Sequence, residues 1–191
     1  RATDLVRQIL TFSRQNPKQE ARPIRVRQFV EEALKFCRAS ISSAIEIRPR
    51  ISTDSIIVAD PSDIQRILVN LCANASFAME NRPGVLEVSL DEVDIDAAFT
   101  LDKKGIGPGR FVRLTVTDTG SGMKPEVMAR IFEPFFTTRS EGKGTGLGLS
   151  VVHGIVKDLG GAISVASEPD KGSTFEVFIP VRGGAAAGTD E

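Results

Sequence analysis

Apolar side chains recur at three- and four-residue steps through residues 1–16 (Ala2, Leu5, Ile9, Phe12), 28–40 (Phe29, Ala33, Phe36, Cys37), about 61–80 (Ile64, Ile67, Leu68, Leu71, Cys72, Ala75) and 149–159 (Leu149, Val152, Ile155, Val156, Leu159). That spacing lines one face of a helix. Elsewhere the period shortens to two, or the run is short and wholly apolar, and strands are expected at Ile24-Arg25-Val26, over residues 45–51, and at Ile56-Ile57-Val58, which reads as buried. Asp60-Pro61 supplies an N-cap and a proline at the first helical position for the helix that follows. Residues 85–93 and 111–117 alternate as an antiparallel pair, joined by a mobile connection over 97–109. Residues 162–167 and 173–181 form a second pair around the turn Glu168-Pro169-Asp170-Lys171-Gly172.

These elements predict an α+β chain: a two-layer α/β sandwich with a mixed, mostly antiparallel sheet and helices on one face, preceded by an N-terminal helix. That helix, residues 1–16, presents a stripe that wants a partner helix, so a dimer is expected. Pro17 marks a linker over 17–20, a domain spans 21–181, and the Gly/Ala-rich residues 182–191 form a flexible tail.

The chain has 191 residues, 41% of them hydrophobic and 26% charged, which is enough to bury a core. A formal net charge of −1 offers nucleic acid or an anionic membrane surface no electrostatic attraction, so any phosphate site must be local. No apolar run approaches the roughly 20 residues of a bilayer span, and a cytoplasmic setting without direct membrane contact is expected. Cys37 and Cys72 have no partner motif and read as small reduced hydrophobes.

The candidate chemistry lies in two glycine clusters and one helix. Gly142-Lys143-Gly144-Thr145-Gly146-Leu147-Gly148-Leu149 runs straight into the last helical pattern, so its backbone N–H groups meet a helix N-terminus, where phosphate is favoured. Asp118-Thr119-Gly120-Ser121-Gly122 follows a strand and adds a carboxylate to a tight turn. On the helix over 61–80, Asn70 and Asn74 stand four apart beside the core stripe; an amide oxygen is a hard neutral ligand suited to Mg²⁺, and the two residues also read as ordinary surface asparagines.

Taken in order and spacing, Asn70-Leu71-Cys72-Ala73-Asn74-Ala75, Asp118 to Met123, Ile131-Phe132-Glu133-Pro134-Phe135-Phe136-Thr137-Thr138 and Gly144 to Leu149 resemble the ATP-binding domain of sensor histidine kinases, of the Bergerat or GHKL superfamily. The resemblance covers residues 21–181, and residues 1–16 resemble the second helix of that family's dimerisation hairpin. It implies ATP and Mg²⁺ as ligands, with Asp118 accepting from the adenine amino group, Gly120 and Gly122 letting the backbone approach the base, and Met123 packing on the ring. Asn74 matches the magnesium asparagine and Asn70 its companion near the phosphates. Residues 132–144, with Thr137 and Thr138, correspond to a mobile lid hinged at Gly142 and Gly144. From it Arg139 and Lys143 would meet the β- and γ-phosphates, and Thr174 would line the phosphate side. Phe77 departs from relatives that carry a basic residue there, so that contact is missing or comes from the lid. At least one of Phe132, Phe135 and Phe136 is expected in the core.

Superfamily ATPases carry a glutamate where this chain has Asn70, and an amide cannot act as general base, which favours transfer over hydrolysis. The resemblance therefore implies an ATP-dependent protein histidine kinase. Its acceptor histidine would sit on a first hairpin helix of the same or a partner subunit, with the phosphoryl group passing on to a response regulator receiver domain. The one histidine, His153, lies in the helix after the glycine loop and reads as structural, so the chain is expected to lack its own acceptor. A nucleotide-binding regulatory module without kinase activity and a GHKL-type ATPase are the alternative readings.

Overall fold

The computed structural model describes residues 20–80, 82–96, 106–139 and 144–181. The expectations for the helix over 1–16, the linker up to residue 19, the connection over 97–105, Gly142, Lys143 and the tail fall outside them. In chain order the elements are β1 (Arg22–Arg25), α1 (Val26–Ser40), β2 (Ile45–Ile51), β3 (Ile56–Ala59), α2 (Pro61–Ala78), β4 (Gly84–Ile95), β5 (Gly109–Asp118), the short α3 (Pro125–Met128), α4 (Gly148–Asp158), β6 (Ala162–Glu168) and β7 (Gly172–Pro180).

Five strands form one sheet in the order β2-β4-β5-β7-β6, with β2 parallel to β4 and every other pair antiparallel. Alternation decides its faces. Leu86, Val88 and Leu90 of β4, Val112, Leu114 and Val116 of β5, and Phe175, Val177 and Ile179 of β7 are buried in one cluster with α1, α2 and α4. Glu87, Asp91, Arg113 and Glu176 occupy the intervening positions, where Arg113 meets Asp91 at 2.6 Å and Glu176 at 3.5 Å. Each fully buried Leu or Val contributes about 1.5–3 kcal/mol, so the single covered face carries most of the folding drive.

Several expectations change in detail. β1 and β3 pair with each other in a separate two-stranded sheet, so Ile56-Ile57-Val58 is not a buried run: Ile57 is buried while Ile56 and Val58 are 40% and 46% exposed. α1 buries Val26, Val30, Ala33 and Cys37, and Phe29 and Phe36 sit half-buried at its flank. Cys37 and Cys72 meet across the α1–α2 interface, where a hydrogen bond to Cys37 and then burial push the Cys72 thiol well up.

α2 begins as its sequence dictates. Asp60 accepts from Ser62 N–H at 2.8 Å and Pro61 opens the helix. From there the helix crosses the sheet and packs on α1 and α4. Among the described residues no helix is long and apolar enough to cross a membrane.

Candidate nucleotide-binding site

The core stripe of α2 leaves Arg66, Asn70, Asn74 and Phe77 together on an adjoining face, spaced 4, 4 and 3 residues apart. Two adjoining cavities of about 150 and 160 Å³ open along this face. Asn74, Phe136, Thr137, Arg139 and Leu149 line both, so the two are lobes of one cleft. One lobe is closed by Asn70 and the loop Gly144 to Leu149, the other by Asp118, Gly122, Met123, Thr138, Ser173 and Phe175.

In the glycine lobe, Gly146 has φ +66°, and a Cβ there would collide with the Phe135 backbone. A Cβ on Gly148 would lie 3.0 Å from Asn70 Oδ1, so the glycine lets the start of α4 close on the α2 asparagine. Asn70 is held by donation from Nδ2 to Arg66 C=O at 2.8 Å. No side chain caps α4, whose first turn therefore offers backbone donors to the lobe. Thr145 Oγ1 accepts from Leu147 N–H at 3.4 Å. Asp, Glu and His are absent from the described residues lining this lobe.

In the other lobe, Asp118 is 3% exposed at the end of β5, and its Oδ1 accepts from Gly120 N–H at 2.8 Å. Burial pushes this carboxyl above the usual range, against the opposing effect of the Gly120 and Ser173 N–H groups. The turn after it is pinned on both sides. Ser121 N–H donates to Ala78 C=O at 3.0 Å, Asp170 N–H to Ser121 C=O at 2.7 Å, and Met123 N–H to Ser167 Oγ at 2.8 Å.

Three of the expected site residues have structural surroundings of their own. Gly120 does not line the cleft; a Cβ on it would stand 2.6 Å from Ala78 Cβ, so this glycine serves the packing of the turn on the end of α2. Gly122 does line it, yet its φ of +62° and the Glu168 carbonyl where a Cβ would go are what require glycine. Thr174 bonds Thr117 Oγ1 at 3.1 Å and is absent from both lobes; the pleat sends its neighbours Ser173 and Phe175 to the cleft instead. Of the three phenylalanines, Phe132 and Phe136 pack half-buried on the core and Phe135 is 73% exposed with φ +66°. His153 is half-buried with its ring 5.3 Å from that of Phe132, in keeping with its structural reading.

Arg139 joins the lobes. Its Nη2 donates to Asn74 Oδ1 at 3.0 Å, and its guanidinium carbon lies 4.0 Å from the Phe77 centroid. A cationic group thus already sits on the oxygen of Asn74, a hard neutral donor by its chemistry. Among the described residues there is no cluster of three or more His, Cys, Asp or Glu able to hold an ion unaided. Arg66, Ser173 and Phe175 were not singled out in the sequence, and Phe77 stood there only as a departure from relatives with a basic residue; the 4, 4, 3 spacing carries the signal for Arg66 and Phe77.

Residues 59–183 match the family described as histidine kinase-, DNA gyrase B- and HSP90-like ATPase, and the chain belongs to it. Among curated relatives it is 37% identical over 183 residues to the sensor kinase CckA of Brucella abortus, covering 94% of this chain and 19% of that protein. The chain therefore spans about a fifth of that relative's length. Among solved structures it is similar to the mycobacterial sensor histidine kinase MprB (26% identity, TM-score 0.67, 85% of this chain and 98% of that one). It is likewise similar to full-length ShkA in complex with AMPPNP (28% identity, TM-score 0.67, 97% of this chain and 36% of that one). Fold and relatives together make this an ATP-binding domain of the sensor histidine kinase type.

Proposed function

We propose that the cleft binds Mg·ATP and presents the γ-phosphoryl group to a histidine carried outside the catalytic domain, for onward transfer to a response regulator receiver domain. Asp118 Oδ1 is engaged by the Gly120 N–H, and Oδ2 accepts from the adenine amino group while Met123 and Phe175 pack along the base. Asn74 would hold Mg²⁺ and Asn70 would support the phosphates, with the uncapped start of α4 and Gly144 to Leu149 offering backbone N–H groups to them. Arg139 and Lys143 neutralise charge on the terminal phosphates. Bound Mg²⁺ would supply charge neutralisation on the phosphate oxygens. Catalysis by this domain is then positioning and electrostatics. The acceptor hairpin, from the same or a partner subunit, makes the working unit a homodimer in the cytoplasm.

The observation that carries transfer over hydrolysis is the phosphate lobe itself, whose described lining holds Asn70 and no Asp, Glu or His to activate water. Incubation with γ-labelled ATP, alone and with a protein bearing the dimerisation hairpin and its histidine, tests this. Label on the hairpin protein, with negligible phosphate release from the chain alone, is the expected result. Steady phosphate release without an acceptor would favour an ATPase instead, and binding with neither outcome a regulatory module.

A further inference from the structure

Arg139 is held from three sides. The Phe77 ring stands 4.0 Å from its guanidinium carbon, Asn74 Oδ1 accepts from Nη2 at 3.0 Å, and Thr137 Oγ1 accepts from its backbone N–H at 3.1 Å. A Cβ on Gly144 would fall 2.6 Å from Arg139 Cδ, so the glycine makes room for the side chain. Phe77 and Asn74 sit three residues apart on one face of α2, so the ring and the amide form a single platform.

We propose that Phe77 is a positioning residue for triphosphate recognition: its ring keeps the Arg139 guanidinium on the wall between the two lobes, resting on Asn74 and turning to the terminal phosphate when ATP enters. This deepens the Mg·ATP reading and rests on it. A guanidinium and a divalent cation repel each other at one amide oxygen, more so where water is partly excluded. Mg·ATP therefore requires Arg139 to leave Asn74 Oδ1, and phosphate oxygens draw it because charge-assisted bonds are stronger than the bond to a neutral amide. Attraction to the face of a ring tolerates this turn, since it persists within about 6 Å of the centroid. The side chain then gives up little freedom on binding, having been ordered beforehand.

The test is calorimetric titration of the chain with Mg·AMPPNP and with Mg·ADP. Phe77→Leu, which keeps apolar volume and removes the ring, is expected to weaken AMPPNP binding about threefold to tenfold and ADP binding by less than about twofold. Phe77→Tyr should restore AMPPNP affinity, and Phe77→Leu should add nothing in an Arg139→Ala background. Equal losses for both nucleotides, failure of Phe77→Tyr to restore, or additive losses with Arg139→Ala would overturn the proposal by making Phe77 a plain wall of the cleft. Phe77→Met replaces Phe77→Leu if the latter does not fold. Wild-type chain that binds neither nucleotide would overturn the Mg·ATP reading itself. AMPPNP binding that depends on Asp118 yet ignores Phe77→Leu would overturn this proposal alone.

Discussion

Asp118 and Gly120 are joined by a 2.8 Å hydrogen bond from the glycine N–H to the aspartate Oδ1. Turn formation and ligand recognition are usually weighed as rival roles for such an aspartate, but a carboxylate has two oxygens, and this bond uses one. The bond aims the side chain from the end of β5 into the cleft, and the pinning of Ser121 and Met123 fixes the turn around it. The carboxylate is placed at the cost of burying a charge.

That cost has a sign. Burial raises the folded-state pKa of Asp118, so the native protein holds the proton more tightly than the unfolded chain does. Its stabilising contribution is fully present below the unfolded pKa and is lost as pH rises through the raised folded value. In urea unfolding over a pH series, wild type should lose stability relative to Asp118→Asn across that window. A wild-type stability that stays level with, or rises against, that of Asp118→Asn as pH increases contradicts the burial of the charge.

Gly146 is expected to matter more for ligand than for fold. A non-glycine residue in left-handed conformation costs about 1–2 kcal/mol, and the Cβ of Gly146→Ala would also meet the Phe135 backbone. The loop must shift where its N–H groups face the cleft. Calorimetry should show ATP affinity falling at least about tenfold, with an unfolding free energy lower by about 1–2 kcal/mol. Unchanged affinity would separate this loop from the phosphates.

Asp60→Ala removes the side-chain acceptor for Ser62 N–H at the start of α2. Loss of such a cap costs about 0.5–2 kcal/mol, to be read as a lower urea midpoint at constant m-value. The cleft residues lie further along the helix, so ATP affinity at saturating folded protein should hold within about twofold. A variant as stable as wild type would show that Pro61 alone starts the helix.

Much of this architecture was legible in the chain, and the failures have physical causes. Asp60-Pro61, the core stripe of α2 and the turn at Glu168 to Gly172 combine local stereochemistry with periodicity, and they fall where expected. Asp170 and Gly172 supply the positive φ values that this turn needs. The pairing of β1 with β3 was not legible, because an apolar triplet does not say which sheet it joins; only the pairing reveals that Ile56 and Val58 face outward. On α1, ring size misled: Phe29 and Phe36 are apolar, yet the smaller Val26, Val30 and Ala33 fit against α2. Thr174 stands one position from the cleft-lining Ser173 and Phe175, and in a strand one position reverses the face. Most of the cleft wall comes from the motifs singled out in the sequence, and at Phe77, where the expectation was a basic contact either missing or supplied by the lid, Arg139 rests on the ring.

In the proposed complex the purine and metal–phosphate ends of one ligand meet Asp118 and Asn74. Calorimetric titration of Mg·AMPPNP into wild type, Asp118→Ala and Asn74→Ala measures this most directly, with a parallel titration in chelator. Saturable one-to-one binding by wild type is predicted, weakened at least about tenfold by either substitution, with Asn74→Ala also blunting the dependence on magnesium. Wild-type affinity in both variants would contradict it.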